Sequence, residues 1–205
     1  MNSYEAIRNG FETAYIDGAV VSNAAYQPQF VSNNHKEGKK VLSSIEDELL
    51  VCDQFQISVA FITLGGIEPL LQTLKNLEKK NIKGEILTTN YLNFSEPKAL
   101  EKLNELRNIT IRMYDVEAAD EGFHTKGYIF KKEEIYRIII GSSNMTKSAL
   151  TTNREWNTKI VSSEQGQVAR EKLKEGHYLF PQPEQEKPML LLLQCGNWDL
   201  KGFCS

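Results

Sequence analysis

Between residues 41 and 114 the chain alternates segments of helical period with short β-branched runs, and no other feature of its 205 residues narrows the possible folds as much. Over residues 37–52 the apolar positions Val41, Leu42, Ile45, Leu49 and Leu50 recur at helical spacing, one stripe of an amphipathic helix. Residues 56–63 (Q-I-S-V-A-F-I-T) are apolar and β-branched over too short a length for a helix, which predicts a buried strand. Gly65-Gly66 opens a second helix through residue 80, with Ile67, Leu70, Leu71, Leu74 and Leu77 on one face, and a strand follows over 84–89. Pro97 suits the first turn of a third helix reaching residue 107, with Ser95 as its candidate cap, and 109–114 reads as the next strand. Strand, helix, strand, helix, strand predicts an α/β fold: a mixed, largely parallel β-sheet flanked by helices on both faces.

After residue 115 the rhythm changes. Residues 124–130 and 135–140 are strand candidates joined by Lys131-Lys132-Glu133-Glu134, a hairpin-like connection. Gly141-Ser142-Ser143-Asn144 is a turn, 146–150 a short helical piece, 155–162 a further strand and 165–175 a closing helix. Residues 1–36 are polar and irregular, with only 26–31 extended and Asn33-Asn34 signalling a turn. Beyond His177, Pro181, Pro183 and Pro188 interrupt the chain and periodicity disappears, so a loosely attached tail is expected. The expected division is an arm (1–24), a domain (25–176) and a tail (177–205).

At 40% hydrophobic residues the chain can bury a core without disulfides or metals as staples. Cys52, Cys195 and Cys204 show no C-x-x-C spacing, which points to a reducing, cytoplasmic setting with no metal centre. The N-terminal residues carry no secretion signal, and the longest apolar run, Met189 to Leu193, is far below the roughly 20 residues of a membrane span. The net charge of −3 gives no long-range pull on a polyanion. Charge placement is more telling, because from His124 to Lys159 seven basic residues face three acidic ones.

That same segment holds the chemistry. His124 and Lys126, two apart on a predicted strand, project to one face, and Gly127 beside them leaves room for close approach. Ser142, Ser143 and Asn144 lie on a tight turn before a short helix, where free N–H groups and hydroxyls favour an anion such as phosphate. Glu155, at the start of a strand, can orient a histidine ring. Each residue alone has an ordinary structural role, as strand side chain, turn former or solvated strand end; the constellation is more informative than its members. Phe123, Tyr128, Phe130, Tyr136 and Trp156 are near enough in sequence to stack on bases, although strand aromatics usually face the core.

His124-Thr125-Lys126, Gly141-Ser142-x-Asn144 and Glu155 resemble the signature of the phospholipase D superfamily in the single-copy form of its bacterial nucleases. Tyr26-Gln27-Pro28, Ser58 to Thr63, Tyr91-Leu92-Asn93-Phe94 and Thr152 to Asn157 further resemble the nuclease-like domain that precedes DEAD/DEAH-box helicase modules in bacteria. The resemblance covers roughly residues 25 to 175. It implies a metal-independent phosphodiesterase with no cofactor, in which His124 attacks phosphorus and the phosphohistidine is then hydrolysed. Lys126 and Asn144 would hold the non-bridging oxygens, Glu155 the histidine's other nitrogen, and Ser142 and Ser143 would contact substrate. Only one His-x-Lys occurs, since His35 precedes Lys36-Glu37 and His177 precedes Tyr178-Leu179, so the second half-site would come from a homodimer partner. The expected partners are therefore nucleic acid, DNA in the first place, a second copy, and a helicase module; no membrane is expected.

Lys131 departs from the longer family pattern, which places an Asp five positions after the Lys. That substitution is the feature favouring a second reading, a catalytically weak or inactive nucleic-acid-binding module of a helicase or restriction system. A third reading, a small nucleotide-binding domain, has only Leu64-Gly65-Gly66 behind it, because G-x-G-x-x-G and G-x-x-x-x-G-K-[ST] are both absent. A lipid-directed enzyme would carry a basic, aromatic-rich amphipathic helix, whereas the helices expected here are core-facing with mixed charges.

Overall fold

The structure, a computed structural model, describes residues 2–171, 174 and 190–193. Where the residue types predict an irregular arm, the structure has a helix, α1 (Ser3–Tyr15), capped by Asn2 through a hydrogen bond from Glu5 N–H. Its apolar stripe is thin, with only Ala6 and Gly10 buried. Gly10 is where it docks: an added Cβ would stand 2.4 Å from the Tyr26 carbonyl oxygen. The arm continues into β1 (Gln29–Val31).

The alternating region follows its periodicity closely. Helix α2 (Val41–Val51) starts later than expected because Gly38, at φ 67°, ends a short 3-10 turn ahead of it. Then come β2 (Gln54–Val59), α3 (Leu64–Ile67), α4 (Leu71–Lys79), β3 (Lys83–Thr89), α5 (Pro97–Asn104), β4 (Ile109–Tyr114) and α6 (Val116–Ala119). Ser95 does not cap α5, whose N-cap position is Glu96; its buried hydroxyl instead bonds the Ile62 N–H and the Thr88 hydroxyl. The later strands are β5 (Lys126–Lys132), β6 (Ile135–Gly141) and β7 (Asn157–Ser163), with α7 (Lys147–Thr151) between the last two. Residues 167–171 are helical. Most of the segment from His177 to Ser205 lies outside the described residues, but Leu190–Leu193 forms β8 and pairs with β4, so the expected tail returns to the sheet.

Among the described residues eight strands form one sheet in the order β1-β7-β6-β5-β2-β3-β4-β8. Among the named strands of the described residues, β2–β3 and β3–β4 pair in parallel, each pair linked by a helical crossover as parallel strands require. All other ladders are antiparallel, so the sheet is mixed but not largely parallel as expected. The two-residue turn Glu133-Glu134 between β5 and β6 is too short to join parallel strands.

Alternation along the strands divides the core. Tyr128 and Phe130 of β5 join Phe55, Ile57, Ile86 and Ile111 beneath α2, α4 and α5. Ile129 points the other way and packs with Tyr136, Ile138 and Ala169. Ala60, Leu87, Tyr114 and Phe123 make a third cluster near α6. Cys52 is buried, and burial raises its thiol to about 11.

Candidate active site

His124 lies just ahead of β5 rather than on it, while Lys126 is the strand's first residue. The two side chains nonetheless meet. Lys126 Nζ stands 3.0 Å from His124 Nδ1 and 3.1 Å from Nε2, and donates to the His124 carbonyl at 3.1 Å. An ammonium has no lone pair and can only donate, to the carbonyl and to the one ring nitrogen that a neutral imidazole leaves unprotonated. Between them, Thr125 turns the other way and its hydroxyl bonds Ser58 of β2 at 2.5 Å. This ties the His-Thr-Lys segment to the central strand, where Lys126 pairs with Val59.

Gly141 lets the second half of the site form. A Cβ there would stand 2.2 Å from the Trp156 carbonyl oxygen, so only glycine allows the end of β6 to lie against the chain entering β7. Ser142 N–H donates to that same carbonyl at 3.2 Å, and Ser142 Oγ accepts from Trp156 N–H at 3.1 Å while donating to Glu155 Oε2. Asn144 is held by Phe61 N–H, which donates to Oδ1 at 3.2 Å. That bond settles which end of the amide faces where: the oxygen is engaged, and the NH2 group is the end available to a ligand.

Two expectations about this turn need correcting. Ser143 is fully buried, its N–H donating to Asn157 Oδ1 at 3.2 Å and its hydroxyl accepting from Asn157 Nδ2 at 2.9 Å, so it braces the turn and cannot touch substrate. The N–H groups of Ser142, Ser143 and Met145 all bond within the protein. The turn is therefore not the open cradle of N–H donors that the residue types suggest. Asn157, which sequence reasoning did not single out, also bonds the Val31 carbonyl and so couples β1 to the turn.

Glu155 is buried, and its hydrogen bond comes from Ser142; among the described residues none joins it to His124. Its charge is felt at Lys126, whose pKa burial lowers while Glu155 opposes the shift. The Tyr128 hydroxyl, buried behind Lys126 and bonded to the Ser143 carbonyl at 3.0 Å, is raised by burial and further by Glu155. Lys131 sits at the other end of β5, roughly 16 Å along the strand from Lys126. There it pairs with Glu164 at 2.5 Å and lies over the Tyr136 ring. The position that carries Asp in the longer pattern therefore does not reach His124.

Gly66 has a packing role, since a Cβ there would stand 2.1 Å from the Met145 carbonyl oxygen. That close approach accounts for the glycine pair without a nucleotide. Of the five aromatics near the motif, Phe123, Tyr128, Phe130 and Tyr136 are buried, while Trp156 is 75% exposed. Beside Trp156 opens a groove of about 430 Å³ whose wall includes Glu155. Among the described residues no helix is long and apolar enough to cross a membrane.

The family described as cardiolipin synthase, PLD-like domain, matches residues 52–175, and the chain belongs to this family of phospholipase D-like domains. A search of curated proteins finds no match. Among solved structures the chain is similar to Nuc, a phospholipase D family member from Salmonella typhimurium, with TM-score 0.60 and 16% identity over 82% of this chain and 99% of that one. NucT from Helicobacter pylori gives 0.57 and 14% over 75% and 95% of the two chains. The phosphatidylserine synthase of Haemophilus influenzae gives 0.55 and 15% over 82% of this chain and 40% of its own. At these identities the likeness is one of fold: a mixed sheet flanked by helices, shared with a phospholipase D family member.

Proposed function

We propose that the chain is a phosphodiesterase that cleaves nucleic acid without a metal ion, DNA in the first place, through a phosphohistidine intermediate in a site shared by two copies. The observation that carries this reading is the Lys126 ammonium within 3.1 Å of both ring nitrogens of His124, with the charge of Glu155, which Ser142 bonds, felt at Lys126. In the reaction a His124 ring nitrogen forms a bond to phosphorus and the bond to the leaving oxygen breaks. The partner copy's histidine, protonated, gives its proton to that oxygen. Neutral again, it takes a proton from water, whose oxygen attacks the phosphohistidine and releases His124. Lys126 and the Asn144 NH2 would bind the non-bridging oxygens, where charge builds in the transition state. Glu155 would act through its bond to Ser142 and its charge at Lys126. A helicase or restriction partner is the proposed context of this domain.

Incubating labelled DNA with the protein in EDTA tests the reading. The wild type should cleave, and His124→Ala should lose at least about a thousand-fold in rate. Unchanged cleavage by His124→Ala would overturn the mechanism. Wild-type binding that weakens steeply with salt but never leads to cleavage would establish the binding-module reading instead.

A further inference from the structure

We propose that the groove between Asn33-to-Lys36 and Arg154-to-Trp156 is a subsite for single-stranded nucleic acid, in which an unpaired base stacks on the Trp156 indole and its backbone phosphate meets Arg154 and Lys36. The proposal rests on the phosphodiesterase reading for the identity of the polymer, and adds the strand form that the site accepts.

Trp156 is 75% exposed and Phe30 64%, although large aromatics are rarely left so open, and the two rings meet edge to face with centroids 5.9 Å apart. With the two rings nearly perpendicular, the indole keeps three quarters of its residue's surface open to another flat ring. The root of the indole is registered to the proposed reaction centre, because the Trp156 N–H and carbonyl both bond Ser142, the residue that bonds Glu155. A base stacked there is therefore adjacent in the chain to the residues proposed to handle the phosphate.

The opposite wall is held in place before any ligand arrives. Asn33 Nδ2 donates to the carbonyls of Ala149 at 2.9 Å and Asn153 at 2.7 Å, and its Oδ1 accepts from Val41 N–H at 2.9 Å. Three bonds from one side chain tie the wall to both α2 and α7, so little ordering remains to be done on binding. Lys36, His35 and Arg154 line the groove, and its one carboxylate, Glu155, accepts a hydrogen bond from Ser142. Cations beside an exposed aromatic face are the combination that grips a single strand. In a duplex the base faces are covered by their neighbours and cannot reach an indole.

The test uses the full chain with Trp198→Phe, in which Trp156 is the remaining tryptophan. Oligothymidylate of about twelve nucleotides should quench its fluorescence, and a duplex of the same length should not. By anisotropy, Trp156→Ala should bind the single strand about ten-fold more weakly, Trp156→Phe within about three-fold of wild type, and Lys36→Ala with a shallower salt dependence. Equal binding by wild type and Trp156→Ala overturns the proposal. So does conversion of a dimer to a monomer by Trp156→Ala, which would make the ring a contact between copies, or a loss confined to anionic vesicles, which would make it a lipid site. If the wild type fails to cleave in EDTA while Trp156-dependent quenching persists, the nuclease reading falls and the subsite stands.

Discussion

Lys126 balances two opposed effects. Partial burial favours its neutral form, and the Glu155 carboxylate pulls the other way. Glu155→Gln keeps the shape of the side chain and removes the charge, so the Lys126 pKa should fall further. Because Lys126 must be cationic to hold a non-bridging oxygen, the alkaline limb of the kcat/KM–pH profile should move to lower pH in this variant. An alkaline limb that stays in place, measured on the same DNA substrate, would show that Glu155 works only through Ser142. The contrast between Ser142 and Ser143 is set at the same scale: neighbours of identical chemistry differ because Asn157 occupies both the N–H and the hydroxyl of Ser143.

Among the elements, the junction of α2 with β6 and β7 stands out electrostatically. Glu48 of α2 is buried and accepts Lys159 Nζ at 3.2 Å and Arg137 Nε at 3.5 Å. Arg137 also lies 5.9 Å from the Tyr26 ring centroid, which draws the N-terminal arm into the same contact. Glu48→Gln leaves two cations in low-dielectric surroundings without their counter-charge and should cost about 3 kcal/mol in urea unfolding. A loss below about 1 kcal/mol would mean that water reaches the pair. This junction is close to the groove, since Lys159 of β7 follows Trp156 by three residues and pairs with Gln29 of β1, so instability there should also loosen β1 and Phe30.

At the level of the whole molecule, the proposed sharing of one site by two copies is testable. Mixing equal amounts of wild type and His124→Ala, with time for subunits to exchange, leaves about a quarter of the dimers with two intact histidines. Activity at fixed total protein should therefore fall to about a quarter of the pure wild-type value. A fall to about one half would show that each chain holds a complete site. Sedimentation of the wild type at assay concentration should show a dimer, and a strict monomer would remove the basis for the shared site.

Residues 41–114 were legible because helix and strand periods are local: Ile45 and Leu49, or Ile109 and Ile111, declare their faces without reference to anything distant. The His124, Lys126 and Glu155 constellation was legible as a pattern of residue types, and its meeting of His124 with Lys126 needed only neighbours in sequence. What the sequence could not disclose depends on segments far apart in the chain. Helix α1 has too thin an apolar stripe to announce itself and is positioned by Gly10 against Tyr26. Leu190–Leu193 reads as an isolated apolar run until β4 offers it an edge. Ser143 became structural and Trp156 exposed only when β7 was laid between β1 and β6, because burial is set by what packs across a side chain, and no local spacing encodes that.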